Sequence, residues 1–242
     1  MPFVNAPDGV SIHYETEGEG EPLVLMHGSG GDLEGWRMAG YTDALRDNYR
    51  LILIDSRGRG QSGWPPAQED YELRTRVVDV TTVLDELKID RAYFLGYAMG
   101  GWIGWGAATY APQRFLALAI GGFGPQSDPY PGLTVEAAFG DLWRKLADEE
   151  QDVMKLLFAE TARFGGARQV LKTTPLPLFL YAGDRDDYFS SMLGAAQMAQ
   201  RAEFLALTGK DHRSGYLDQD AVAIVAAGVA DFFSAVSAQP RS

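Results

Sequence analysis

Short apolar runs, four or five residues long, alternate along the chain with longer stretches in which apolar residues recur every three or four positions. Leu23–Met26, Arg50–Ile54, Ala92–Leu95, Leu116–Ile120, Leu178–Tyr181 and Glu203–Leu207 are the short runs. Apolar on both faces, they predict strands of a covered, parallel sheet. The start of the chain reads differently. Phe3–Asn5 and Val10–Glu15 flank Pro7-Asp8-Gly9, and Asp-Gly favours a tight turn, so a polar opening hairpin is expected. Helical spacing appears in Tyr71–Leu87, where Val77, Val78, Val80, Val83, Leu84 and Leu87 form a stripe, and again in Ala221–Val236. This alternation predicts an α/β architecture built from βαβ units. Between Gly124 and Thr174 it is interrupted by Pro125, Pro129 and Pro131 and by two helical patterns, Thr134–Ala147 and Glu150–Phe164. That stretch reads as a helical cap (124–174) inserted into a core formed by 1–123 and 175–242.

Length agrees: 242 residues is about one and a half domain lengths, as expected for one core with an insertion. The net charge of −12 would repel a polyanion, which excludes nucleic acid as an expected partner. Without cysteine the chain has no disulfide, no thiol nucleophile and no cysteine-ligated metal. The first residues lack a basic and then apolar leader, and no window approaches the roughly 18 apolar residues of a membrane span. A cytoplasmic protein with no membrane partner is expected, and nothing sets its oligomeric state. The unusual number is glycine, 28 residues against a typical share of about 7%.

Those glycines cluster after predicted strands. His27-Gly28-Ser29-Gly30-Gly31 can turn backbone N–H groups toward a cavity, as an oxyanion requires, although a plain tight turn would look the same. Asp55-Ser56-Arg57-Gly58-Arg59-Gly60-Gln61-Ser62 lacks the Gly-Lys-Ser/Thr end of a phosphate loop and reads by itself as a structural loop. Gly96-Tyr97-Ala98-Met99-Gly100 has the G-x-S-x-G spacing of a sharp strand-turn-helix, with alanine at its centre.

With Gly183-Asp184-Arg185-Asp186 and Gly209-Lys210-Asp211-His212 after the last two strands, these motifs make the chain resemble the α/β-hydrolases, close to small esterase, lactonase and perhydrolase-like members. Five motifs in order, each at a strand end, cover nearly the whole chain outside the cap. The resemblance implies a mostly parallel eight-stranded sheet flanked by helices, with a triad in the order nucleophile, acid, histidine. Of three histidines, His13 lies in the hairpin and His27 in the first glycine turn, which leaves His212 as the base. Asp184, Asp186, Asp187 and Asp211 compete as the acid, and the resemblance favours Asp186. Backbone N–H groups of Ser29 and Met99 are the implied oxyanion hole. Ala98 occupies the nucleophile position and has no oxygen to attack with.

Two explanations follow. Either a serine at position 98 was replaced by alanine in an otherwise intact enzyme, or the chain naturally lacks the nucleophile. In the second case it binds ligands without turnover, or works as a cofactor-free lyase or oxygenase-like enzyme through His212 alone. The expected substrate is a small to medium, largely apolar ester or lactone lying among Gly28, Trp36, Trp102, Phe123, Trp143, Phe158 and Tyr188. Carbon–carbon bond hydrolysis and haloperoxidase-like chemistry use the same triad and stay open. No cofactor or metal is implied, because no metal-ligand spacing and no dinucleotide-binding fingerprint is present.

Overall fold

The computed structural model describes residues 2–126 and 132–239; Pro129 and Pro131 lie outside them. Eight strands form one sheet: β1 (Phe3–Asn5), β2 (Ser11–Glu17), β3 (Glu21–Met26), β4 (Tyr49–Ile54), β5 (Ala92–Tyr97), β6 (Phe115–Gly121), β7 (Leu178–Gly183) and β8 (Ala202–Leu207). Their order is β1-β2-β4-β3-β5-β6-β7-β8. The opening hairpin adds antiparallel to β4, and every pairing from β4 to β8 is parallel. All the expected strands are present.

Ten α-helices accompany them: α1 (Glu34–Ala39), α2 (Tyr41–Leu45), α3 (Leu73–Glu86), α4 (Met99–Tyr110), α5 (Val135–Trp143), α6 (Asp148–Ala162), α7 (Arg168–Thr173), α8 (Phe189–Met198), α9 (Ser214–Leu217) and α10 (Gln219–Ser237). Alternation along each strand splits the core in two. Val24, Met26, Ile52, Ile54 and Phe94 pack with α3, α4 and α8 on one face. Leu23, Leu25, Leu51, Leu53 and Leu95 pack with α1, α2 and α10 on the other. The strands read as continuous apolar runs because both faces are buried.

Between β6 and β7 the described residues form three helices, α5 to α7, in place of one crossover helix. Helix α5 bends at Gly140. Helix α6 reaches across the loop that follows β4: Gln68 Nε2 donates to Glu160 Oε1 at 2.8 Å, and Met154 and Leu157 are buried in the core.

Two expectations need correction. The stripe on α3 includes two charged residues, since Arg76 and Asp79 are buried beside Val77, Val80, Val83 and Leu84 while Val78 and Leu87 are only partly covered. Helix α10, with 19 residues and a mean hydropathy of 1.6, is long and apolar enough to cross a membrane by length and composition. Asp220, Asp231 and Ser234 interrupt its apolar run without lowering the average far. Here its Val222, Val225, Val229 and Phe233 face lies in the core.

The loop after β4 is organised by buried charge. Asp55 accepts from the Leu33 N–H (2.8 Å), the Gln61 N–H (2.9 Å) and His13 Nδ1 (2.8 Å), tying the hairpin to the loop. Arg57 forms a two-pronged bond with Asp79, at 2.7 and 2.6 Å, and reaches Asp8 at 2.8 Å. Removing one partner of a buried pair leaves an uncompensated charge. Asp79→Asn is therefore expected to destabilise the protein by about 3–5 kcal/mol in denaturant unfolding, whereas Asp8→Asn, at the half-exposed end of the same network, costs far less.

Candidate active site

Only residue 98 separates the end of β5 from the start of α4. The chain must turn there within one residue, and Ala98 adopts φ 52° and ψ −115°. Apart from Lys88, it is the only non-glycine with positive φ among the described residues. Such a conformation costs on the order of 1–3 kcal/mol and persists only where the surroundings enforce it. The surroundings do so. Ala98 N–H donates to Gly121 O and Trp102 N–H to Ala98 O, each at 3.0 Å. A side chain at Gly100 would overlap the Met26 carbonyl, and one at Gly96 would overlap the Gly100 carbonyl. The G-x-A-x-G spacing is thus a steric requirement of packing α4 against the ends of β3 and β5.

Asp186 lies in the loop after β7 and His212 in the loop after β8. His212 Nδ1 is 2.9 Å from Asp186 Oδ2. A carboxylate only accepts, so Nδ1 carries the proton and, in neutral imidazole, Nε2 keeps its lone pair. The other carboxylate oxygen accepts from the Tyr188 N–H at 2.9 Å, and the Asp186 side chain is 1% exposed against 44% for His212. A buried, doubly held acid beside a half-exposed imidazole suits an orienting role for the first and proton transfer for the second. The competing aspartates are engaged otherwise. Asp184 accepts from the Gly209 N–H at 2.8 Å, Asp211 caps α9 through the Ser214 N–H at 2.8 Å, and Asp187 is exposed.

The glycine turn after β3 comes next to Ala98: a methyl group on Gly28 would stand 3.4 Å from the Ala98 methyl. Ser29 follows in the same turn, which Gly31 N–H closes by donating to Gly28 O at 3.2 Å. His27 pins it from below. Its Nδ1 donates to Gly28 O at 2.8 Å and its Nε2 accepts from the Ser56 N–H at 3.1 Å. Both ring nitrogens are used in the neutral form, and burial holds the His27 pKa below the ordinary 6.5. Met99 N–H begins α4, whose N-terminal end carries partial positive charge. Among the described residues, no group of three His, Asp or Glu side chains could hold a metal ion.

Three comparisons bear on this arrangement. A family model described as an alpha/beta hydrolase fold matches residues 21–170. The chain belongs to the α/β-hydrolase family. Pig bifunctional epoxide hydrolase 2 is 31% identical to this hydrolase-family chain over 117 residues, 48% of the chain and 21% of the relative. The cis-3-alkyl-4-alkyloxetan-2-one decarboxylase of Shewanella oneidensis is 33% identical over 132 residues, 51% of the chain and 40% of that relative. The matches thus span well under half the length of these relatives. The structure of the enol-lactonase from Burkholderia xenovorans LB400 superposes with a TM-score of 0.79 at 23% identity, covering 96% of this chain and all of that one. At such identity the likeness concerns the fold.

The expected aromatic wall of this α/β-hydrolase is only partly gathered. Phe123 stacks on Tyr188 at 5.1 Å, and Tyr188 lies 5.8 Å from the His212 ring. Trp102 is buried, edge-on to Phe164 at 6.5 Å. Trp36 lies in the opposite core layer, fully enclosed between Tyr41 and Tyr216. Trp143 sits under the Lys155 ammonium, and Phe158 pairs with Phe139 within α5 and α6. Surface hollows of about 290 and 410 Å³, one lined by Pro177 and Gln200 and the other by Lys88 and Arg114, lie near the amino ends of the strands, remote from this site.

Tyr97 had no role in the sequence reading, yet its hydroxyl donates to the His212 carbonyl at 2.7 Å and anchors the base loop. Nor did Ser56, Arg59 or Arg76. The signal for Arg76 was present as a charge inside an apolar stripe.

His27 generates a pH prediction. Its folded pKa is below its unfolded value, so the unfolded chain takes up the proton first and stability falls as pH drops below about 6.5. The slope contributed is at most about 1.4 kcal/mol per pH unit. Thermal unfolding between pH 7.5 and 5.5 is expected to show this loss, and His27→Gln should flatten it while lowering stability at pH 7.5.

Proposed function

We propose that this α/β-hydrolase is a serine-type hydrolase of small to medium carboxylic esters or lactones, present here in a form that binds substrate without turning it over. The observation that carries the reading is the Asp186–His212 pair, whose base loop is bonded by Tyr97, the residue before a strained position 98. Asp186 orients the imidazole, and His212 Nε2 would take the proton of a serine hydroxyl at position 98 as that oxygen attacks the carbonyl carbon. The N–H groups of Met99 and Ser29 would hold the oxyanion, and His212 would return the proton to the leaving oxygen. Water then repeats the sequence on the acyl-enzyme.

Ala98 removes one oxygen from that scheme. Loss of such a nucleophile costs up to about a million-fold in turnover. The intact acid, base and glycine turns favour replacement of a serine in a working enzyme over long-term loss of catalysis. The described part of the cap, residues 124–126 and 132–174, would cover the site from the side of α6, with Phe123 and Tyr188 as apolar wall. The oxetan-2-one in the name of one relative, a cyclic ester, supports a lactone carbonyl as the reacting group.

A second reading is favoured by Ala98 itself: a ligand-binding member of the family with no turnover. Restoring the hydroxyl separates the two. Ala98→Ser is expected to raise hydrolysis of p-nitrophenyl acetate, p-nitrophenyl butyrate or simple γ- and δ-lactones by roughly 10⁴ or more, and His212→Ala in that background should return it to the starting level. No gain across the panel would overturn the hydrolase reading.

A further inference from the structure

Two buried guanidinium groups have no part in the scheme above. Arg76, 1% exposed, is fully enclosed on the inner face of α3. Its Nε donates to Tyr71 O at 3.3 Å, while one terminal nitrogen reaches Ser56 Oγ and stands 3.7 Å from Met99 Sδ. The rings of Tyr71 and Trp102 lie against it, 5.2 and 5.8 Å from its central carbon. Arg59, 4% exposed, sits in the loop after β4. Among the described residues its one hydrogen-bond contact is the thioether of Met154, at 3.3 Å, and its Nε has no hydrogen-bond partner.

Neither makes an ion pair among the described residues. The carboxylates that act on them do so without a direct bond: Asp79, held by Arg57, on Arg76, and Glu150 on Arg59. Buried cations are ordinarily paired, and a thioether is a weak acceptor. Burial lowers the pKa of both arginines, Arg76 to about 9, so Arg76 keeps its charge at neutral pH. Two enclosed guanidinium groups with no ion pair among the described residues, offset only at longer range by Asp79 and Glu150, mark a place that can take a further anion.

Its position is informative. Arg76 contacts Met99, the residue after Ala98. It also contacts Ser56, whose N–H holds His27 and through it the Gly28 turn. Met154 of α6 covers Arg59 from the cap side. We propose that Arg59 and Arg76 form an anion subsite beside position 98 that takes a carboxylate carried by the substrate. Resting on the ester or lactone reading, this departs from the largely apolar substrate expected from the sequence and gives one with a free carboxylate, such as the half-ester of a dicarboxylic acid. Planar, multi-donor guanidinium groups match a carboxylate geometrically, and such charge-assisted bonds are the strong ones.

The chain as it stands can be tested, because Ala98 prevents turnover. Calorimetry at pH 7 compares monomethyl succinate and monomethyl glutarate with their dimethyl esters. The half-esters are expected to bind about tenfold tighter or more, and Arg59→Met or Arg76→Met should each collapse that preference toward unity. Without ligand, Arg59→Met is expected to unfold at the same temperature as the parent or higher, because it deletes an unpaired buried charge. A lowered midpoint would mark Arg59 as structural and overturn the proposal, as would equal or tighter binding of the diesters. Turnover of neutral esters by Ala98→Ser without any half-ester preference would sink the anion subsite alone. Arginine-dependent half-ester binding with no turnover after Ala98→Ser would sink the hydrolase reading alone.

Discussion

The first turn of α4 lies so close to the end of β3 that no side chain fits at Gly100, and this contact governs the rest of the site. With the helix fixed there, the chain leaving β5 has one residue in which to reverse, and that residue is forced to positive φ. The strain belongs to the junction and not to the alanine. A methyl group gains nothing from being held in a costly conformation at the mouth of two loops. The packing of the helix accounts for the geometry, and the proposed reading adds a reactive side chain that would use it.

A second constraint is the handling of charge below that junction. The loop after β4 carries Asp55 and Arg57 in fully paired networks, which hold the hairpin, the loop and α3 together. His27 is neutral and bonded through both ring nitrogens, so the glycine turn it supports cannot slacken without exposing buried polar groups. Against this order, Arg59 and Arg76 are exceptions. Arg57 is held in direct ion pairs while Arg59 and Arg76 have none among the described residues, so the loop and the facing helix combine a rigid scaffold with a proposed ligand contact.

Much of this was legible in the residue order. Strands buried on both faces advertise themselves as unbroken apolar runs, and the glycine motifs mark where backbone must pass close to backbone, a local steric fact independent of what surrounds it. Position 98, Asp186 and His212 could be singled out because they follow strands whose ends must converge in a parallel sheet. The choice of Asp186 over Asp184 needed more than spacing, since both lie in one short loop. Only the fold sent one carboxylate to His212 and the other to the Gly209 N–H.

What the sequence could not determine was side-chain company at long range. Trp36, Trp102, Trp143 and Phe158 are alike as aromatic residues, yet they fall into different layers, because which core a ring enters depends on helix packing rather than on its neighbours in the chain. Tyr97 and Arg76 looked like an ordinary strand tyrosine and an interruption of an apolar stripe. Their meaning came from partners 115 and 23 residues away. Local sterics and periodicity are written in consecutive residues and determine strands, turns and the sharp junction at position 98. The pairing or isolation of a buried charge depends on distant elements brought together, and only the tertiary structure decides it.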